Sequence, residues 1–164
     1  MFPPGASNVD YEGEMVVVIG KRAQSVPVDD ALDYVFGVTT GNDVSARDWL
    51  RDDLQWFRGK GSETFGPIGP AIVHGVNYDD LLLQTRVNGA LRQSERTSGL
   101  IFDVSPIVSY ISQFVTLEAG DVIFTGTPGG TEAAQPGDVV EIELESAGML
   151  RNKIATSHLL RQSL

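Results

Sequence analysis

At 164 residues, with 41% hydrophobic and 21% charged, the chain has the size and composition of one globular domain, which excludes wholesale disorder. A formal net charge of −10 argues against a nucleic-acid groove, so an anionic substrate has to be drawn by a few locally placed cations. No cysteine is present, which excludes disulfides, thiolate metal sites and cysteine nucleophiles, and no run approaches the ~18 apolar residues of a membrane span.

Met1 to Val9, with Pro3, Pro4 and Gly5, reads as a connector, and no signal-like pairing of charged and apolar regions begins the chain. Met15 to Ile19 is an apolar, β-branched run, the pattern of a buried strand. Val28 to Val35 places acidic residues early and predicts a short helix, followed by a strand over Val35–Thr40. Ser45 followed by Asp48 approximates a capping box and predicts a helix carrying Arg47 in its first turn, with Trp49 and Leu50 turned inward. Arg58 to Ser62 reads as a flexible basic loop, and Phe65–Pro70 as a rigid turn-rich passage into a strand at Ala71–Val73.

Gln84 to Gln93 is the clearest hairpin, two strand-like runs joined by Asn88-Gly89. One helical turn is expected at Thr97–Phe102. A stronger helix opens at Ser105-Pro106, with Ile107, Val108, Ile111, Phe114 and Val115 at helical spacing. Strands follow at Val122–Phe124, Val139–Leu144 and Leu150–Ile154, and Thr125–Gly130 is a small-residue loop between them. No repeat or low-complexity tract occurs. The fold class is α+β and β-rich, with a few short helices.

Glu12 and Glu14 stand two residues apart at the head of the first strand, where they share a face with Cα atoms roughly 6–7 Å apart. Carboxylates so placed repel each other unless a cation or water intervenes; a solvated edge strand with acidic decoration is the other reading. Asp43, between a strand and a helix, is a third candidate ligand, or else a helix-flanking partner of Arg47. An all-oxygen set suits a hard cation, Mg2+ first, then Mn2+ or Ca2+, whereas His74 and His158 are too isolated for zinc. Lys60, between Gly59 and Gly61, can approach a ligand, or can be a solvated loop lysine. Arg47 can clamp a carboxylate or pair on the surface with Asp43 or Asp48. The Thr125–Gly130 loop offers hydroxyls and N–H groups to an anion, although such loops are often only turns. No Gly-x-Ser-x-Gly pattern supports a serine hydrolase.

Seven blocks occur in order: Asp10–Gly20, Asn42–Asp48, Gly59-Lys60, Val87–Gly89, Ile107–Ser112, Leu117–Ile123 and Thr125–Gly129. Together they resemble the C-terminal catalytic domain of the fumarylacetoacetate hydrolase family, with residues 10–164 as the domain. The resemblance implies the family's mixed β-roll, usually a homodimer. It places Glu12, Glu14 and Asp43 on metal-ligand positions, usually for Mg2+. It matches Lys60 to a catalytic position and Arg47, Lys60, Gly126 and Thr127 to substrate-binding ones. The implied activity is divalent-metal-dependent hydrolysis of a C–C bond in a small 2-oxo or 1,3-diketo acid, of acylpyruvate or fumarylacetoacetate type, through a metal-stabilised enolate. The alternatives are an oxaloacetate-type decarboxylase, an isomerase or hydratase of dienoic 2-oxo acids, and a non-catalytic or truncated member.

Three departures stand out. Hydrolytic members bring a histidine–glutamate pair from upstream to activate water, and Met1–Tyr11 holds no histidine. The expectation is a fragment of a longer protein, or a chain that does not hydrolyse in the usual way. Leu50 replaces a frequent glutamine, and the loop between Gly129 and Pro136 is short. The expected partner is a small anionic 2-oxo acid, with no nucleic acid or membrane. The expected compartment is the cytoplasm, or the mitochondrion if a transit segment lies upstream.

Overall fold

The computed structural model describes residues 1–156; His158 lies outside them. The strands are β1 (Val9–Asp10), β2 (Gly13–Ile19), β3 (Val35–Asn42), β4 (Ser45–Ala46), β5 (Leu82–Val87), β6 (Ala90–Arg96), β7 (Val122–Phe124), β8 (Val139–Leu144) and β9 (Gly148–Lys153). The α-helices are α1 (Arg47–Asp52), α2 (Phe57–Gly61) and α3 (Val104–Ser112). The strands form three antiparallel sheets, ordered β1–β4, β3–β2–β7 and β6–β5–β8–β9. This is the β-rich α+β architecture the sequence predicts.

β2 is central because every one of its residues is buried, and a strand covered on both faces reads as an unbroken apolar run rather than an alternation. Met15, Val17 and Ile19 join Leu83, Val87, Val140, Ile142, Leu144, Val104 and Val108 in the main core. The close approach of β2 to the larger sheet depends on Gly13. A Cβ there would lie 2.1 Å from Thr85 Oγ1, so any larger residue would push the two layers apart. Glu12 and Glu14 flank that glycine.

The hairpin is as predicted: Asn88 and Gly89 both have positive φ, 52° and 81°, as a tight turn between twisted strands requires. Elsewhere tertiary contacts redraw the local pattern. Val28–Tyr34 is a 3-10 helix. Ser45, read as the cap, pairs within β4 with β1 instead; α1 starts at Arg47, and Asp48 in its first turn accepts hydrogen bonds from the N–H and hydroxyl of Ser7 at 2.8 and 2.9 Å. Trp49 and Leu50 are only half-buried. Arg58–Ser62 is not a loop but largely the helix α2. Of the expected Ala71–Val73 strand only a bridge between Val38 and Val73 forms, and the turn after Thr97 is a 3-10 helix ending at Gly99.

α3 begins after Asp103 rather than at Ser105 and ends at Ser112, leaving Phe114 and Val115 exposed. Its inward face is completed by Ser109, which donates to Val26 C=O, and Ser112, which accepts from Val26 N–H. Those bonds fasten α3 to the segment before the 3-10 helix. Residues at the start of the chain are also engaged: Phe2 N–H donates to Ala155 C=O at 2.8 Å.

Candidate active site

One pocket of about 480 Å³ is lined by Glu12, Glu14, Asp43, Arg47, Lys60, Gly126 and Thr127, so the seven candidates converge from five separate segments. Leu50, Arg51, Trp56 and Phe124 complete its lining. Carboxylate oxygens of Glu12, Glu14 and Asp43 all lie within 4.8 Å of one another.

Each acid is positioned by backbone pairing. Gly13 stands opposite Asn42 in the β2–β3 register, and the side chain of Asn42 accepts the Glu12 N–H at 3.1 Å. Asp43 N–H in turn donates to Glu12 C=O at 2.9 Å, locking the end of β3 against the start of β2. Glu14 is almost wholly buried, and its Oε2 accepts the N–H of Gly126 at 2.7 Å. Burial pushes its carboxyl up to about 7, with the charges of Asp43 and Glu12 adding to the rise while the Gly126 bond and Lys60 oppose it. Burial likewise pushes Asp43 above its ordinary value, against the pull of Lys60.

Two cations balance the cluster. Lys60 Nζ bridges Glu12 Oε2 at 2.8 Å and Asp43 Oδ2 at 2.5 Å. Burial works against its ammonium, yet the bonds to Asp43 and Glu12 hold its pKa above the usual value. Arg47 Nε donates to Asp10 Oδ2 at 2.9 Å, and Nη2 donates to Glu12 Oε1. Asp43 therefore pairs with Lys60, and Arg47 takes Asp10 and Glu12 as its partners.

Lys60 reaches the cluster because α2 packs closely on α1: a Cβ at Gly59 would sit 2.5 Å from Leu50 Cδ2. The loop after β7 is held from inside. Thr127 Oγ1 donates to Gly13 C=O at 2.8 Å and accepts from Gln93 Nε2 at 2.9 Å. Gln93, 2% exposed, also donates to Pro128 C=O at 2.9 Å and accepts Gly13 N–H at 3.1 Å. Asp10 and Gln93 were not apparent from sequence. Asp10 lies in a recognisable block but beside more suggestive acids, and Gln93 sits mid-hairpin with no local signal.

The donor set tests whether a metal fits. Three convergent carboxylates with only oxygen donors suit a hard divalent cation, and the ammonium of Lys60 already occupies a cation's place between two of them. The cluster could therefore hold a divalent ion. Among the described residues, no helix is long and apolar enough to cross a membrane.

Comparison with known proteins places the chain in a family. The sequence model described as "Fumarylacetoacetate (FAA) hydrolase C-terminal" matches residues 1–155. The mitochondrial oxaloacetate tautomerase Fahd2a of Rattus norvegicus is 41% identical over 165 residues, covering 94% of this chain and 53% of the relative. The structure of 2-hydroxyhepta-2,4-diene-1,7-dioate isomerase from Mycobacterium marinum superposes with a TM-score of 0.91 at 48% identity, over 93% of this chain and 61% of that one. Fumarylpyruvate hydrolase from Pseudomonas aeruginosa, solved in complex with Mn2+ and pyruvate, gives 0.89 at 31% identity, over 95% and 70%. The chain spans between about half and two thirds of the curated relatives it matches. By the extent of these matches, the chain belongs to the fumarylacetoacetate hydrolase C-terminal family.

Proposed function

We propose that the chain carries the active site of an enzyme that moves a proton on a small anionic 2-oxo acid, a keto–enol tautomerase or double-bond isomerase. The observation that carries this reading is the position of Lys60, bonded to two carboxylates of the cluster at the wall of a pocket that opens to solvent. Tautomerisation removes a proton from the carbon beside the keto group and delivers one to the keto oxygen. It needs a positioned proton carrier and a site that tolerates the developing negative charge, without an activated water.

A divalent cation held by Glu12, Glu14 and Asp43, Mg2+ by preference, would supply Lewis-acid stabilisation of that charge. Lys60 holds or passes the proton at the substrate oxygen. Arg47 neutralises Asp10 and Glu12 and keeps Glu12 aimed at the cluster, with its remaining guanidinium edge toward the substrate's carboxylate. Gly126 fixes Glu14 through its N–H, and Thr127 borders the same end of the pocket. The tautomerase and isomerase relatives favour this assignment over C–C hydrolysis; the fumarylpyruvate hydrolase likeness keeps hydrolysis as the second reading.

The test is the rate at which the enol form of oxaloacetate is converted to the keto form, followed by ultraviolet absorbance with Mg2+ present. Lys60→Ala, checked for folding by circular dichroism, is expected to lower the catalysed rate by about a hundredfold or more. An undiminished rate overturns the role given to Lys60. Release of two carbon fragments from an acylpyruvate, with no tautomerase activity, moves the assignment to hydrolysis.

A further inference from the structure

The pocket contains a third cation that the reaction as proposed does not use. Arg51 lines it together with Arg47 and Lys60. The charges of Arg47 and Lys60 are engaged by Asp10, Glu12 and Asp43 inside the site. Arg51 instead pairs with its sequence neighbour Asp52, Nε to Oδ1 at 2.8 Å, with the two side chains 76% and 62% exposed. Nη2 also donates to Asp52 Oδ2 at 3.2 Å, but an ion pair this exposed is worth little against competing water, so an anion placed inside the pocket can take the guanidinium from Asp52.

Its position on α1 sets what that anion is. Arg47 and Arg51 are four residues apart in a single helix, hence on one face with Cβ atoms roughly 6 Å apart. Arg47 stands at the carboxylate cluster, and Arg51 stands one turn farther out along the same wall. In an extended four-carbon 2-oxo dicarboxylate the two carboxylate carbons are roughly 4 Å apart, from standard bond lengths. A molecule whose 2-oxo acid end meets the cluster would bring its second carboxylate to the Arg51 turn. Leu50 and Trp56 line the same pocket and offer apolar surface to the carbon chain between the two ends. In a protein of net charge −10, a cation at the pocket mouth also raises the local concentration of a doubly charged anion.

We propose that Arg51 is the specificity-determining residue of this pocket, selecting short 2-oxo dicarboxylates over 2-oxo monocarboxylates by pairing with the distal carboxylate. This rests on the reading of the pocket as a 2-oxo acid site. Arg51 acts on binding and discrimination, whereas the proton chemistry stays with Lys60.

The test is isothermal titration calorimetry on the chain in saturating Mg2+, with three probes. Oxalate reports the inner end alone. Oxaloacetate and 2-oxobutyrate have the same number of carbons and differ in the distal carboxylate. The parent protein is expected to bind oxaloacetate about tenfold more tightly than 2-oxobutyrate, the scale of one charge-assisted contact in a partly solvated setting. In Arg51→Gln that ratio should collapse towards one while the oxalate affinity stays within about twofold, and the preference should weaken with added salt in the parent only. A ratio unchanged by Arg51→Gln, with oxalate binding intact, overturns the inference and leaves the 2-oxo acid reading standing. Failure of the parent protein to bind oxalate in Mg2+ overturns the underlying reading, and this inference with it.

Discussion

Glu14 is the residue whose environment constrains the site most. Its carboxyl is pushed up to about 7 by burial and by the neighbouring acids, so the folded metal-free protein holds a proton there that the unfolded chain releases near its ordinary value of 4.5. Stability of the metal-free protein should therefore fall as pH rises between those two values, because the native state binds the extra proton. A divalent cation bound there would compete for the same oxygens and would have to displace that proton. The Mg2+ affinity is expected to rise by close to tenfold per pH unit below about 7 and to level off above it. Calorimetric titrations from pH 6 to pH 8 check this, and a flat profile would mean that Glu14 is not a ligand. Sequence placed Glu14 at the head of the central strand, but a protonation equilibrium set by desolvation is not written in spacing. It depends on what covers the side chain.

The elements that build the site depart from what their sequences suggest in both directions. Arg58 to Ser62 reads as a loop because Gly59 and Gly61 are poor helix formers. In the fold, Gly59 is where α2 meets Leu50 of α1, and that contact turns Lys60 from a solvated side chain into a half-buried one. Gln93 plays the equivalent part for the opposite wall, joining β6, the start of β2 and the Thr127–Pro128 turn. Gln93→Ala leaves buried partners unsatisfied and should cost about 2 kcal/mol of stability in denaturant unfolding. It should also weaken Mg2+-dependent oxalate binding, because the loop whose N–H fixes Glu14 loses its anchor. An unchanged oxalate affinity would show that the loop is held by other contacts. The hairpin was fully legible, since Asn-Gly is a local signal, and so was β8, whose predicted bounds are the observed ones. The cap at Ser45 was not, because pairing of β4 with β1 is a long-range event that overrides a local preference.

For the whole molecule, the carboxylate cluster sets a balance between stability and ligand. Four acids, Asp10, Glu12, Glu14 and Asp43, gather near two engaged cations in a protein that is already strongly anionic. Supplying the divalent ion, and then an anion that completes its shell, should stabilise the folded state. At about 100 times the dissociation constant the gain is ~2.7 kcal/mol, or roughly 5–10 °C in melting temperature for a chain of this size. In a thermal-shift titration oxalate should add to the Mg2+ shift and do nothing alone, and Asp43→Ala should remove both effects. A shift by oxalate without any divalent ion would place the anion on Arg47, Arg51 and Lys60 instead.

The sequence by itself determined the family, the β-rich class, the central strand and seven of the residues that gather at the pocket. Those follow from local pattern and from ordered motifs, and both survive in a linear string. Only the tertiary structure decided which acid pairs with which cation, that Lys60 sits on a helix, that Gln93 supports the loop, and that Arg51 shares the pocket while keeping only an exposed partner. The physical reason is common to all four. Pairing, burial and pKa depend on distances between segments far apart in the chain, and these are fixed by how β2 packs against its neighbours, with Gly13 allowing the closest approach.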